Sequence, residues 1–255
     1  AALQIGQQGS SYPYTGYISD ARIVNGTAVY SGTTYTVPTA PLTAITNTKL
    51  LLNMADGQAL DSAAQHNMVL LGNADTSTTQ QKFGTASLAL DGTGDAAQLR
   101  GVRSFEGPFT IECWARSSDI ATTAFLWNVG QYRMELGISN GDTLRGWTTT
   151  SGYTNYFSSG QFTEDTWHHL ALVRDSSNVL KCYLNGTASG TTATDSNTQI
   201  ATEGIIYVGG EWSTNASIQN AWNGYVDDFR ISRFARYTSN FTPSTEAFPD
   251  KGQES

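Results

Sequence analysis

Trp167-His168-His169-Leu170-Ala171-Leu172-Val173-Arg174, the turn Asp175-Ser176-Ser177-Asn178, and Val179-Leu180-Lys181-Cys182-Tyr183-Leu184 closing on Asn185-Gly186 decide the fold class. Each flank is a short run of β-branched, aromatic and aliphatic residues, and each break is built from residues that tolerate turn dihedrals. Asn-Gly favours a tight hairpin because it accepts positive φ at both central positions. Outward from here the same grammar continues. Strands are expected at Lys49 to Met54, Ala86 to Leu90, Phe109 to Arg116, Ala124 to Val129, Arg133 to Ile138, Leu144 to Thr149, Ile205 to Gly209 and Gly224 to Ser232. Between them lie Asp91-Gly92-Thr93-Gly94, Asn140-Gly141-Asp142 and Ser151-Gly152. No stretch sustains a helical period, apart from a turn near Asp61 to His66. Many short strands at close spacing predict a sandwich or barrel.

Composition agrees. Of the 255 residues 39% are hydrophobic and only 14% charged, with 12 Tyr, 10 Phe and 6 Trp, enough for a packed interior and against disorder. The net charge of −8 leaves no basic surface to neutralise phosphates, so neither nucleic acid nor an anionic lipid surface is an expected partner. No apolar run is long enough to insert into a membrane. The opening Ala1-Ala2-Leu3-Gln4 has neither an initiator Met nor a signal-peptide pattern, which predicts a fragment or a processed piece. Cys113 and Cys182 both fall on apolar strand faces, as reduced core thiols do, and a disulfide would require their strands to be neighbours.

The beginning of the chain resembles its end. Leu3-Gln4-Ile5-Gly6 matches Ile206-Tyr207-Val208-Gly209, and Gly16-Tyr17-Ile18-Ser19-Asp20-Ala21-Arg22-Ile23 matches Gly224-Tyr225-Val226-Asp227-Asp228-Phe229-Arg230-Ile231. In each copy a Tyr, a Thr/Ser stretch and a Pro follow: Tyr30 and Pro38, then Tyr237 and Pro243. The spacing of about 208 residues is the size of one large sandwich rather than of a solenoid repeat. Residues 1–46 are therefore expected to be the last strands and linker of one unit, 47–249 a complete unit, and 250–255 a tail. The opening strands are too short to bury their own apolar side, so they are expected to pack on the complete unit or add to a sheet of another chain.

Several blocks carry a resemblance. They are Lys49-Leu50-Leu51-Leu52-Asn53, Lys82-Phe83-Gly84-Thr85-Ala86-Ser87-Leu88, Leu90-Asp91-Gly92-Thr93-Gly94-Asp95, Phe109-Thr110-Ile111-Glu112-Cys113-Trp114, the hairpin quoted above and the closing Gly224 to Ile231. In this order they resemble the laminin-G-like jelly roll of the concanavalin A-like lectin/glucanase superfamily. Cys113 stands where an aromatic or aliphatic residue is usual, and Ala55-Asp56-Gly57 replaces Phe-Asp-Gly. The resemblance implies an all-β fold, a two-sheet antiparallel jelly-roll sandwich. The Tyr-Thr-Ser-Asn-Phe-Thr-Pro ending looks like modules of phage tail fibres and virion appendages, implying an extracellular or virion-surface location.

Such sandwiches include glucanases and lyases, so catalysis has to be tested against the residues. A retaining glycosidase needs two carboxylates about 5 Å apart. No Glu-x-Asp-x-x-Glu stretch exists, Asp227 and Asp228 point to opposite strand faces, and Glu112 and Glu135 stand alone, so no acid pair and no enzyme is expected. Alternation sends one of His168 and His169 inward as a structural residue and the other outward, and His66 falls in a loop. The resemblance implies calcium at the rim, with Asp56, Asp61, Asp227 and Asp228 as oxygen ligands; otherwise Asp61 caps a turn and Asp227 or Asp228 pairs with Arg230. For sugar binding the useful residues are loop aromatics with polar neighbours: Trp147, Tyr153, Asn155, Tyr156, Glu211, Trp212 and Asn215. Trp114, Trp167, Phe109 and Tyr225 are assigned to the core. Asn25-Gly26-Thr27, Asn185-Gly186-Thr187, Asn215-Ala216-Ser217 and Asn240-Phe241-Thr242 match the glycosylation pattern but are read as turns. The expected function is a non-catalytic module for a glycan or host-surface receptor, working beside neighbouring copies of itself. The alternative is a structural spacer for protein contacts in a virion or filament.

Overall fold

A computed structural model describes residues 5, 14–52, 68–100, 102, 107–129, 134–139, 142–148, 151–158, 160–196, 204–213 and 217–248. Its strands are β1 Ala21–Val24, β2 Thr48–Leu52, β3 Met68–Leu71, β4 Asp75–Ser77, β5 Ser87–Asp91, β6 Ala96–Leu99, β7 Phe109–Ser117, β8 Ala124–Val129 and β9 Met134–Ser139. They continue with β10 Thr143–Thr148, β11 Gly152–Phe157, β12 His168–Arg174, β13 Val179–Leu184, β14 Thr187–Thr194, β15 Ile206–Val208, β16 Glu211–Trp212, β17 Ile218–Gln219 and β18 Asn223–Ser232. Among the described residues there is no α-helix, and no helix long and apolar enough to cross a membrane.

Two compact units divide the chain, residues 1–66 with 251–255 and residues 67–250. In the first, β1 pairs antiparallel with β2, Ala21 opposite Leu52. Arg22 Nη1 donates to the Thr43 carbonyl at 2.7 Å, and the rings of Tyr30 and Tyr35 stack at 4.3 Å. The strand expected at Lys49 to Met54 is thus the partner of β1. Tyr17, expected on an apolar alternation with Ala21 and Ile23, is fully exposed. Gly16 and Gly224 share φ near 150° (151° and 145°), and Asp20 and Asp228 share a left-handed φ (54° and 49°). The repeated sequence therefore carries a repeated backbone conformation, which asparagine, aspartate and glycine adopt most readily.

The second unit is a two-sheet antiparallel sandwich. One sheet has the order β11-β10-β9-β8-β15-β6-β3, the other β14-β13-β12-β7-β18-β5-β4. Alternation decides what enters the space between them: Met134, Leu136 and Ile138 from β9, Ile206 and Val208 from β15, Phe109, Ile111 and Cys113 from β7, and Leu170 and Leu172 from β12 form one buried cluster. Cys113 and Cys182 are both free and buried. Strand β12 runs between theirs, with Leu170 opposite Cys113 and Leu172 opposite Cys182. Two strand spacings, about 10 Å, exceed the reach of a disulfide.

The outer face of the second sheet is also covered. Ala171, Val173 and Tyr183 on that face pack against Ala235, Tyr237 and Phe241 of the segment that follows β18. His168 turns inward beside Phe162, and His169 turns outward, as alternation requires. Yet His169 is fully buried, its ring edge-on to Tyr237, Phe241 and Phe248, so facing away from the core does not mean facing water here. Beneath that cover Glu112 accepts from Arg230 Nε (2.8 Å) and Tyr237 Oη (2.7 Å), with His169 Nε2 3.3 Å away. Arg230 therefore answers Glu112, and not Asp227 or Asp228 as the sequence suggests, because the register sets Arg230 opposite Glu112.

Candidate functional site

With the second sheet covered on both sides, the outer face of the first sheet is where polar and aromatic side chains collect. Register aligns one row across all of it: Val69 opposite Gln98, Gln98 opposite Tyr207, Tyr207 opposite Asn128, Asn128 opposite Glu135, Glu135 opposite Trp147, and Trp147 opposite Tyr153. These residues alternate with the core-facing ones on each strand, so all seven share the outer side. One step along, Arg145 stands opposite Asn155 and carries the same face further.

The hairpin β16–β17 follows β15 and brings two more residues. Trp212 lies flat against Tyr207, with ring centroids 5.2 Å apart and 5° between planes. Asn220 Nδ2 donates to Glu211 Oε2 at 2.9 Å. Asn128 Nδ2 donates to Glu135 Oε2 at 3.2 Å, Gln98 Nε2 to Tyr207 Oη at 3.0 Å, and the Arg145 guanidinium sits 4.2 Å from the Tyr153 ring centroid.

The electrostatics of this face centre on Glu135. Burial first, then the neighbouring Glu211, push its carboxyl up to about 7, against the opposing pull of Asn128, Arg145 and Tyr153. Burial and the same carboxylates raise the Tyr153 hydroxyl. Asn128 Oδ1 and Arg145 Nε are buried with no hydrogen-bond partner among the described residues. One acceptor and one donor are thus left unmatched beside a crowded acid pair, a costly arrangement in a finished interior.

Of the residues singled out from the sequence, Trp147, Tyr153, Asn155, Glu211 and Trp212 lie on this one face. Tyr156 does not: it is only 4% exposed and belongs to the core. Its neighbourhood is a strand rather than a loop, so alternation after Asn155 turns it inward, over Gly146, where a β-carbon would stand 2.9 Å from its ring. Asn215, Asp56, Asp61 and His66 lie outside the described residues. Asp227 Oδ2 accepts from the amides of Lys82 (2.8 Å) and Phe83 (3.0 Å), its Oδ1 from the Asp228 amide, and Asp228 Oδ2 from the Phe248 amide (2.7 Å). These two carboxylates hold chain segments in place. No group of three His, Cys, Asp or Glu that could hold a metal occurs among the described residues.

Glu135 does not stand alone as the sequence suggested, since Glu211 reaches it from a distant hairpin. Asn128, Arg145, Tyr207 and Asn220 were also missed. Alternation marks the first three as outward-facing, but nothing local joins them. Two cavities lie elsewhere. One, of about 330 Å³, opens between the sheets at the β3 and β4 edge, lined by Met68, Leu70, Leu88, Leu99, Val208 and Phe229 among others. The other, of about 290 Å³, is bounded by Asn73, Asp91, Asn223 and Tyr225 among others.

A family model described as the concanavalin A-like lectin/glucanases superfamily matches residues 91–239. No curated protein sequence matches the chain. Among solved structures, domain 4 of an extracellular arabinanase from Geobacillus stearothermophilus, in complex with arabinotriose, is 16% identical, covers 71% of this chain and 90% of its own, and has a TM-score of 0.50. The binding domain of a paraclostridial mosquitocidal protein is 14% identical at TM-score 0.51, over 71% of this chain and 48% of its own. The botulinum neurotoxin serotype D ligand-binding domain, solved with N-acetylneuraminic acid, is 14% identical at TM-score 0.50, over 71% and 46%. The chain spans about half the length of these last two, and at such identities the likeness is one of fold.

Proposed function

The chain belongs to the concanavalin A-like lectin/glucanases superfamily, and on that premise we propose that it is a non-catalytic carbohydrate-binding module whose ligand lies on the outer face of the first sheet. The observation that carries this reading is the continuous row Tyr207, Asn128, Glu135, Trp147, Tyr153 with Trp212 stacked at its end. Sugar rings stack on flat aromatic surfaces while their hydroxyls need donors and acceptors; Tyr153 is exposed and Trp147 and Trp212 half-buried, above the buried Tyr207, Asn128 and Glu135. Arabinotriose and N-acetylneuraminic acid, bound in two structures sharing the fold, agree with the ligand class. The setting we propose is a multi-domain surface or viral fibre protein, outside the cell or on a virion. There, weak sites on neighbouring copies gain strength from repetition against a host-surface receptor.

A glycan array, run with calcium and with a chelator on the folded protein, tests the reading. Binding is expected to at least one saccharide, and the Trp147→Ala and Trp212→Ala variants are each expected to weaken it by roughly tenfold, equivalent to about 1.4 kcal/mol. Bound saccharide is expected to be recovered uncleaved. Uniformly negative arrays with a folded protein would remove the proposal, and loss of binding in the chelator would return calcium to the Asp56, Asp61, Asp227 and Asp228 set.

A further inference from the structure

We infer that the face accepts uncharged sugars through their hydroxyl groups and discriminates against sugars bearing a carboxylate. This rests on reading the face as the glycan site and names the class of ligand it takes.

The unmatched atoms specify the chemistry. Asn128 Oδ1 on β8 lacks a donor and Arg145 Nε on β10 lacks an acceptor, both on one sheet face with β9 between them. A cation would satisfy only the oxygen and an anion only the nitrogen. A hydroxyl both donates and accepts, so the hydroxyls of a saccharide lying across these strands answer both. The two carboxylates nearby, Glu135 and Glu211, are further acceptors for hydroxyl hydrogens.

Charge points the same way. The groups around the unmatched atoms are Glu135, Glu211, Arg145 and Tyr153. Arg145 is the one cation in this set, and its charge acts on Glu135 while its guanidinium sits 4.2 Å from the Tyr153 ring centroid. Arg100, further across the face, is directed to Gln98 through a 2.8 Å hydrogen bond from its Nε. An incoming carboxylate would have to take Arg145 from Glu135 and approach Glu211 as well, and like charges in a partly desolvated site repel strongly. Both unmatched atoms are buried, and Tyr153, 56% exposed, is the exposed aromatic at the β11 end of the row.

The test is calorimetric titration of the full chain with arabinotriose and other neutral oligosaccharides, and with oligosaccharides ending in N-acetylneuraminic acid. Neutral ligands are expected to bind at least tenfold more tightly than their sialylated counterparts. The Glu211→Gln variant is expected to narrow that gap severalfold by strengthening the acidic ligand. Asn128→Leu, which removes the unmatched oxygen together with the donor to Glu135, is expected to weaken the neutral ligand about tenfold in protein whose cooperative thermal transition shows it folded. Equal or tighter binding of the sialylated ligand would overturn this inference and leave the glycan face intact, as would a preference unmoved by Glu211→Gln. Failure of every saccharide to bind would instead bring down the reading on which it rests.

Discussion

Two buried glutamates on opposite sheets show how partners decide the worth of a charge. Burial alone would raise the Glu112 carboxyl, but His169, Arg230 and Tyr237 around it outweigh burial and hold it below the usual range. A lowered folded value means stability that is full above the unfolded value near 4.5 and lost as pH falls below it. Removing Glu112 strands Arg230 beneath the covering segment, so Glu112→Ala is expected to cost about 3 kcal/mol in urea denaturation at pH 7. A cost under about 1 kcal/mol would show that the cluster does not hold the C-terminal segment. Glu135 has the opposite sign. With its carboxyl raised to about 7 by burial and Glu211, the stability it contributes is full below about 4.5 and falls as pH climbs through 7. Glu135→Gln is therefore expected to stabilise the protein at pH 8, on the order of 2 kcal/mol, and to leave it unchanged at pH 4. Thermal denaturation at both values checks it, and an equal change at both would refute the charge origin. A residue that lowers stability at neutral pH while sitting among surface aromatics is what a binding site tends to contain. The outward direction of Glu135 was legible in the alternation Met134, Leu136, Ile138. Its partner was not, because Glu211 arrives through tertiary packing of a hairpin that no local pattern announces.

At the level of elements, the turn Asn185-Gly186 joins β13 to β14 with φ of 50° and 79°, the paired positive values that the sequence foretold. What the sequence did not show is the turn's second task. The Phe241 amide donates to the Gly186 carbonyl at 3.0 Å, and the Asn240 side chain accepts from the Ala188 amide, so the covering segment is fastened to this hairpin. A β-carbon at Gly186 would fall on the Phe241 carbonyl oxygen. Gly186→Ala is expected to cost about 2 kcal/mol or more, strain and displacement together. Gly84→Ala has the same sign of φ and nothing within 4 Å, and it is expected to cost only about 1 kcal/mol. Equal costs in a denaturation series would mean that the contact with Phe241 is immaterial. Strong central strands such as β7 and β12 could be read in advance because Phe109, Ile111 and Cys113 alternate on one and Leu170 and Leu172 on the other. Strands β4, β11 and β14 could not, since Asp75–Ser77, Gly152–Phe157 and Thr187–Thr194 are rich in Thr, Gly and polar residues and take their order from neighbouring strands. That is why the sequence places Tyr153 and Tyr156 in or beside loops, whereas the strand turns Tyr156 to the core side.

Over the whole molecule, the interior of the sandwich, among the described residues, is drawn from the second unit: each described member of its main cluster, and each described half-buried side chain packed on it, falls within residues 67–250. The pairings of β3 to β18 are likewise internal to that unit. A hydrophobic core and a complete set of backbone partners are what independent folding requires. We therefore expect residues 67–250, expressed alone, to unfold in a single cooperative transition at the midpoint shown by the corresponding transition of the full chain. We also expect them to bind the same saccharide with unchanged affinity, because each described residue of the aromatic and acidic row travels with them. The residues before this unit carry the repeated Gly16 and Asp20 conformations, which we take as the closing part of a second copy of the module. On that account their removal takes away a neighbour and not a wall of the site. Calorimetry of the excised unit separates the possibilities. An unfolded or aggregating fragment would mean that β1 and β2 complete the sandwich after all, and a folded fragment that has lost saccharide binding would place part of the site outside the row.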